Sequence, residues 1–458
     1  MADTTWLTTP GSHHLKPNAA RIAMAPVTPM ARDRRAVLAG VLGFAGLAAA
    51  PGLAGAGAAG CASVRPAATR YPAIQALIDS YVAARKLSGA AVAIVRPGAP
   101  VAYLTAGARA FDGPATTPDT LYRIYSMTKP VTGIAAMLLI EDGLLSLDQP
   151  IADLLPAYRT MQVLVAPSTD DVRPAKRLIT VRHLLTHTAG LSYAIRPESP
   201  LAKRYAQEGL TPGDRSGRVP AGAKAQPATL AEFAERLAGV PLNADPGARW
   251  EYSVAQDLLG RVIEIASGQA FDRFLRQRIF EPLMMPDTGF DAPLSAVERL
   301  TSVYGVAPQG LSVIDDRKDS PFATRPATLF AGGAGLLSTP RDYARFVGML
   351  LGEGALGRVR IMSRQTARLA MSNLLPEGVA YRPSKGFAAA MDIQLAEGVE
   401  LDEEAPGSVS WGGAAGTLMW ADRASGLGLV LMTQYMPVRA YPLQDEIQKA
   451  AYRDMRAA

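Results

Sequence analysis

Cysteine is almost absent from this chain, which has 458 residues and a single Cys61. No intramolecular disulfide can form, and a structural zinc site built on thiolates is excluded. Histidine is scarce as well: His13, His14, His183 and His187 are the four present. The first two precede an export-like segment, so only two remain for any histidine-based triad. No Gly-x-Ser-x-Gly occurs, which removes the strand-to-helix nucleophile elbow. His183 and His187 stand at i and i+4 in "HLLTH", but Leu184 occupies the place where a metalloprotease helix carries its glutamate. The pair reads as packing and hydrogen-bonding histidines at a helix end, and no metal is expected. Lys and Arg are scattered, without an aromatic-interleaved basic stripe, so nucleic acid is not expected as a partner.

The composition that remains is that of a folded protein able to bury a sizeable core, with 48% hydrophobic and 19% charged residues and a mean hydropathy of +0.08. Half of the net charge of +6 comes from residues 1–61, where Lys16, Arg21, Arg32, Arg34 and Arg35 face only Asp3 and Asp33. Arg34-Arg35 is followed by a run from Ala36 to Ala59 with no charge and then by small residues, the pattern of a twin-arginine export signal. A buried Ala-rich helix or a membrane anchor is the competing reading, and the Gly and Pro content favours the cleaved signal. Cys61 in "AAGC" resembles a lipoprotein processing box, with Ala58 where a bulky leucine is usual, so lipidation there offers a route to membrane attachment. Residues 1–64 are therefore assigned to export and linker, and the expected location is periplasmic or envelope-associated.

From about Tyr71 the text becomes that of a folded domain, assigned to residues 65–458, and after residue 65 it has no internal repeats. "YPAIQALIDSYVAARKL" has helical spacing, and two β-rich runs around Pro97-Gly98 predict a hairpin. "TVRHLLTHTAG", "ATLAEFAERLAGV" and "SVAQDLLGRVIEIASG" predict helices, while 163–178 and 196–228 read as long loops. A further β-rich stretch, "SVSWGGAAGTLMWADRASGLGLVLMTQ", precedes a closing helix over "YPLQDEIQKAAYRDMRA". The expectation is a sheet built from 65–145 and 330–458, with a mainly helical insertion over 146–329.

Chemistry enters at "LYRIYSMTKPVTGIAAMLLIEDG". Ser126 and Lys129 form the only Ser-x-x-Lys of the chain, and at i and i+3 on a helix two side chains share a face. A serine hydroxyl needs a base to become a nucleophile. Pro130 is tolerated only in a first turn, which places Ser126 at the helix start, where backbone N–H groups favour developing negative charge. The following residues are apolar nearly all round, so the helix is buried, and Gly143 ends it.

Taken in order, "SMTK", "GLLSLDQPIADLLP", "ITVRHLLTHTAGL", "PGARWEYSVAQDLLG" and "GGAGLLSTPRDYARF" resemble the serine β-lactamase/penicillin-recognising superfamily, in its class C-like branch. The resemblance spans about residues 71–458. It implies an α/β fold in which an antiparallel sheet is flanked by helices, with an inserted helical domain and the site in the cleft between. It makes Ser126 the nucleophile, Lys129 its lysine and Tyr252 the catalytic tyrosine. Val254 stands where many members have Asn, and Trp411-Gly412-Gly413 where they have Lys-Thr-Gly. Both departures resemble the family VIII carboxylesterases. They imply a small-molecule ester substrate lying against Trp411 and the backbone of Gly412 and Gly413, while the resemblance as a whole implies an oxyanion hole from the N–H groups of Ser126 and Ala414 and no cofactor. β-Lactam or D-amino-acid amide hydrolysis and acyl transfer remain alternatives within enzymes. A catalytically idle acyl- or peptidoglycan-binding lipoprotein is the alternative outside them.

Overall fold

The hairpin around Pro97-Gly98 forms, as strands β1 (Gly89–Val95) and β2 (Ala102–Gly107) pairing antiparallel. The computed structural model describes residues 66–166, 170–396 and 405–457. Arg34-Arg35 and Cys61, on which the export and lipidation readings rest, lie outside them. Strands β3 (Lys385–Phe387), β4 (Asp392–Gln394), β5 (Val409–Gly412), β6 (Leu418–Asp422) and β7 (Leu427–Met432) complete a seven-stranded sheet in the order β3-β4-β5-β6-β7-β1-β2. Every pairing is antiparallel. The register Ala91↔Met432 through Val95↔Gly428 joins the first strand to the last.

Alternation along β1 explains the layers, because successive side chains leave on opposite faces. Ala90, Val92 and Ile94 enter an apolar cluster with helix α1 (Pro72–Ala83) and, from the chain end, Leu443 and Ile447. Ala91, Ala93 and Val95 enter a second, larger cluster that runs on through the middle of the chain. Its central member is helix α2 (Thr128–Glu141), buried from Thr128 to Leu139. Beside it lie α3 (Ala255–Ser267) and α4 (Pro340–Leu351), the latter packed on β7 and β1. The closing helix α5 (Leu443–Ala457) packs on α1.

The middle region differs from the expectation in detail. Within 163–178, Gln162–Leu164 pairs with Val172–Pro174, and within 196–228 Ala202–Gln207 is helical. A hairpin of Val303–Ala307 with Gly310–Asp315 adds β-structure to the stretch expected to be mainly helical. These elements are three to six residues long, too short for a periodic apolar pattern to register. The helix over "TVRHLLTHTAG" covers only Val181–Leu185, and His187 lies beyond it with φ of 55°. His183 and His187 therefore do not share a helix face. Among the described residues no His, Cys, Asp and Glu cluster could hold a metal.

Candidate active site

Ser126 sits in a 3-10 turn, Tyr125–Met127, that runs directly into α2. Tyr125 has φ of 42°, a conformation costly for a residue with a side chain and maintained only where the surroundings fix it. Several contacts do so. Tyr343 of α4 donates to the Met127 carbonyl at 2.7 Å. Arg123, fully buried, pairs with Asp315 at 2.6 Å and donates to the Thr301 carbonyl at 2.7 Å. Neither Tyr343 nor Arg123 stands out in the sequence.

Three side chains of the expected set converge. Ser126 Oγ and Tyr252 Oη are 2.7 Å apart. Lys129 Nζ donates to Ser126 Oγ at 3.4 Å and to the Gly333 carbonyl at 2.7 Å. Nζ also lies 4.6 Å from the centre of the Tyr252 ring and 5.6 Å from that of Tyr193. Lys129 is completely buried, while Ser126 and Tyr252 are partly exposed. The serine hydroxyl thus meets the Tyr252 oxygen at the edge of solvent, with the lysine nitrogen sealed underneath. Burial raises the Tyr193 hydroxyl well above its usual value, with Asp257 and Tyr252 adding to the effect.

Tyr252 is fixed from below by His187. The Ser253 N–H donates to His187 Nδ1 at 3.2 Å, and the imidazole lies 4.9 Å from the Tyr252 ring. Burial, with Lys129 and Arg196 adding to it, holds His187 well below its ordinary value. The ring is therefore neutral and, with Nδ1 accepting, carries its proton on Nε2. His183 acts elsewhere, at the start of its own short helix. Its Nδ1 accepts from the Thr180 N–H at 3.1 Å, closing a capping box, and burial lowers its pKa to about 4.

The Trp-Gly-Gly stretch borders the same cleft. Trp411 is next to last in β5, with its ring 6.0 Å from Tyr252 and 5.3 Å from Phe387. Tyr381 and Trp250 continue this wall, 4.5 Å apart. Gly413 presses against the serine turn, since a Cβ there would stand 2.4 Å from the Ile124 carbonyl. Ala414 follows, exposed, in the turn after β5. Gly412 pairs with Leu418 in the sheet. Val254 is fully buried in the core at the start of α3 and presents nothing polar.

Two further residues belong to this arrangement. Gly333, in "GGAG", offers its carbonyl to Lys129, and its N–H donates to Asp257 Oδ1 at 2.8 Å. Asp257 lies within the "PGARWEYSVAQDLLG" block, but its partner is a backbone amide 76 residues away. No spacing rule points to such a contact.

Comparison with known proteins shows the family. A family model described as Beta-lactamase matches residues 74–452. Esterase EstB of Burkholderia gladioli is 30% identical over 389 residues, covering 80% of this chain and 91% of the esterase. An uncharacterized protein of Mycobacterium tuberculosis is 34% identical over 332 residues, covering 70% of this chain and 78% of its own. Simvastatin synthase from Aspergillus terreus superposes with a TM-score of 0.69 at 24% identity, over 85% of this chain and 99% of the synthase. At that identity the likeness speaks for the fold alone.

Proposed function

The chain belongs to the β-lactamase family as a serine hydrolase of that fold, and from that premise we propose that it cleaves short-chain carboxylic esters through an acyl-enzyme on Ser126. The observation that carries the proposal is the Ser126 Oγ–Tyr252 Oη contact of 2.7 Å with Lys129 Nζ at 3.4 Å. Ser126 Oγ attacks the ester carbonyl carbon, and its proton passes to the Tyr252/Lys129 pair, which returns it to the leaving alkoxide. The C–O bond to the alcohol breaks and the acyl group stays on Ser126. Water then attacks the acyl carbon, giving its proton to the same pair; the acyl–Oγ bond breaks, the pair returns the proton to Ser126 Oγ, and the carboxylic acid leaves. The N–H groups of Ser126 and Ala414 are assigned to the oxyanion, where losing one donor typically costs about 10²–10³ in rate.

The aromatic wall of Trp411, Phe387, Tyr381 and Trp250 supports an uncharged acyl or alkoxy group over a substrate carboxylate. The test compares kcat/KM for a C2–C6 nitrophenyl ester, a chromogenic cephalosporin and a D-amino-acid amide. Efficient ester turnover with feeble cephalosporin turnover is expected, and a preference for the lactam would overturn the esterase reading. Ser126→Ala retaining more than about a tenth of kcat would remove Ser126 as nucleophile, since losing one normally costs several orders of magnitude.

Export is proposed on the sequence of Arg34-Arg35 and the uncharged run behind it. Mass spectrometry of the native protein is expected to find a mature chain that starts between about residues 55 and 65, as such signals are cut after their small residues. A full-length cytosolic product refutes export, and a lipid on Cys61 would add membrane attachment.

A further inference from the structure

Asp257 is fully buried on α3, and its Oδ2 has no hydrogen-bond partner among the described residues. A carboxylate in that position is expensive to keep unless its charge or geometry is used. Its surroundings are specific. Oδ1 accepts the Gly333 N–H at 2.8 Å, and the carbonyl of the same residue accepts Lys129 Nζ at 2.7 Å. A Cβ on residue 333 would stand 2.6 Å from Asp257 Oδ2, so only glycine lets the segment pass this close. The neighbouring Gly332 carbonyl accepts Thr132 Oγ1 of α2 at 2.7 Å. The 332–333 segment is thus clamped between α2 and α3, with Asp257 on one side and Lys129 on the other.

We propose that Asp257 is a positioning residue of the hydrolase: as a carboxylate it fixes the Gly333 peptide that holds Lys129 against Ser126 and supplies the counter-charge for Lys129 as it takes up the serine proton. This rests on the Ser126 reading for its catalytic consequence, but the coupling of Asp257 to Lys129 does not.

The groups facing Asp257 are Lys129 from α2 and Tyr193 from the segment after His187; the 332–333 segment offers only backbone. Burial raises the Asp257 carboxyl to about 6, against the lowering pull of Lys129 and of the Gly333 N–H. Above that pH Asp257 is ionised and Lys129 is compensated. Below it Asp257 is neutral and the lysine loses its counter-charge. Activity therefore falls as pH drops through about 6, the value burial gives this carboxyl.

Asp257→Asn separates charge from contact, because the amide oxygen can still accept the Gly333 N–H. At pH 8 we expect kcat to fall about 10- to 100-fold, the range for a displaced catalytic group, with KM within about twofold. The wild-type acid limb near pH 6 is expected to be absent from the variant. An Asn variant with wild-type kcat and pH profile overturns the proposal. A second measurement needs no turnover: a double-mutant cycle of Asp257→Asn and Lys129→Met read by thermal unfolding. The Tm losses are expected to be non-additive at pH 8 and additive at pH 5, where Asp257 is neutral. Additivity at both overturns the coupling, and an ester-inactive enzyme with a coupled cycle would fault the function reading instead. Should no variant fold, wild-type kcat decides: a single ionisation near pH 6 in protein still folded by circular dichroism supports the proposal, and a flat profile from pH 8 to 5 overturns it.

Discussion

Trp411 concentrates the specificity question in one side chain. It lies near the end of β5 beside Tyr252, at the position where the resembling motif carries a lysine, and its indole packs on Phe387. A cation there would give a substrate carboxylate a charge-assisted hydrogen bond, which contributes about 1.5–3 kcal/mol. An indole gives it none and offers a neutral ester an apolar face. Trp411→Lys is accordingly expected to shift the ratio of kcat/KM toward a cephalosporin by about 10- to 100-fold, the rate equivalent of that bond. Ester turnover should fall in the same variant. Measuring both substrates in both proteins decides it, and an unchanged ratio would mean that Trp411 is packing alone. Val254, the other departure, is a poor lever for the same purpose. It is buried in the core, so an Asn there would meet apolar neighbours before it met substrate.

At the scale of elements, the join between β5 and the serine turn sets the oxyanion geometry. Gly413 has no room for a side chain: a Cβ would stand 2.1 Å from Thr417 Oγ1 and 2.4 Å from the Ile124 carbonyl. Ile124 immediately precedes the strained Tyr125 and Ser126, so pushing it away moves the turn that carries the nucleophile. Gly413→Ala is expected to lower kcat by about 10²–10³, the usual effect of a lost oxyanion donor, with a smaller effect on KM. Gly412→Ala is the control. Its Cβ meets Gln444 Nε2 at 2.7 Å and the Thr417 carbonyl at 3.3 Å, so only a side chain has to shift far and the loss of kcat should be smaller, about tenfold at most. If the two variants behaved alike, steric crowding at Gly413 would not be what matters.

The same scale shows what the sequence made readable. Long elements with clear periodicity, such as α1 and α3, and the hairpin at Pro97-Gly98 were legible because a 3.6- or 2-residue repeat needs length to show. The short strands β3 and β4 lacked it. Ser126, Lys129 and Tyr252 were legible through their motif blocks. Asp257, Gly333 and Arg123 were not, because each acts through a backbone group or a partner far away in sequence. His187 carried the misleading signal: the i, i+4 spacing suggested one helix face, yet the helix stops at Leu185 and the imidazole turns beneath Tyr252.

Among the described residues, the first elements of the folded unit close against the last. β1 pairs with β7, and α1 packs on α5, so the sheet and its outer layer each join residues far apart in sequence. One side chain concentrates this closure. The N-terminus of α1 has no side-chain cap of its own, and its free N–H groups would be costly to bury unpaired. Asp454 of α5 supplies the acceptors instead, taking the Ala73 N–H on Oδ1 at 2.9 Å and the Ile74 N–H on Oδ2 at 3.0 Å. A carboxylate at a helix N-terminus also meets the favourable end of the macrodipole. Asp454→Ala leaves both donors unpaired in a buried place, at a cost of about 2–4 kcal/mol. Tm should fall by several degrees, on the order of 2 °C per kcal/mol for a chain this long. Asp454→Asn, which keeps one acceptor, should recover part of that loss. The Ser126 site draws on the other core, across the sheet, so kcat at 25 °C is expected to match wild type in both variants. A loss of kcat without a loss of Tm would show that the outer layer reaches the cleft by a route that the packing does not contain.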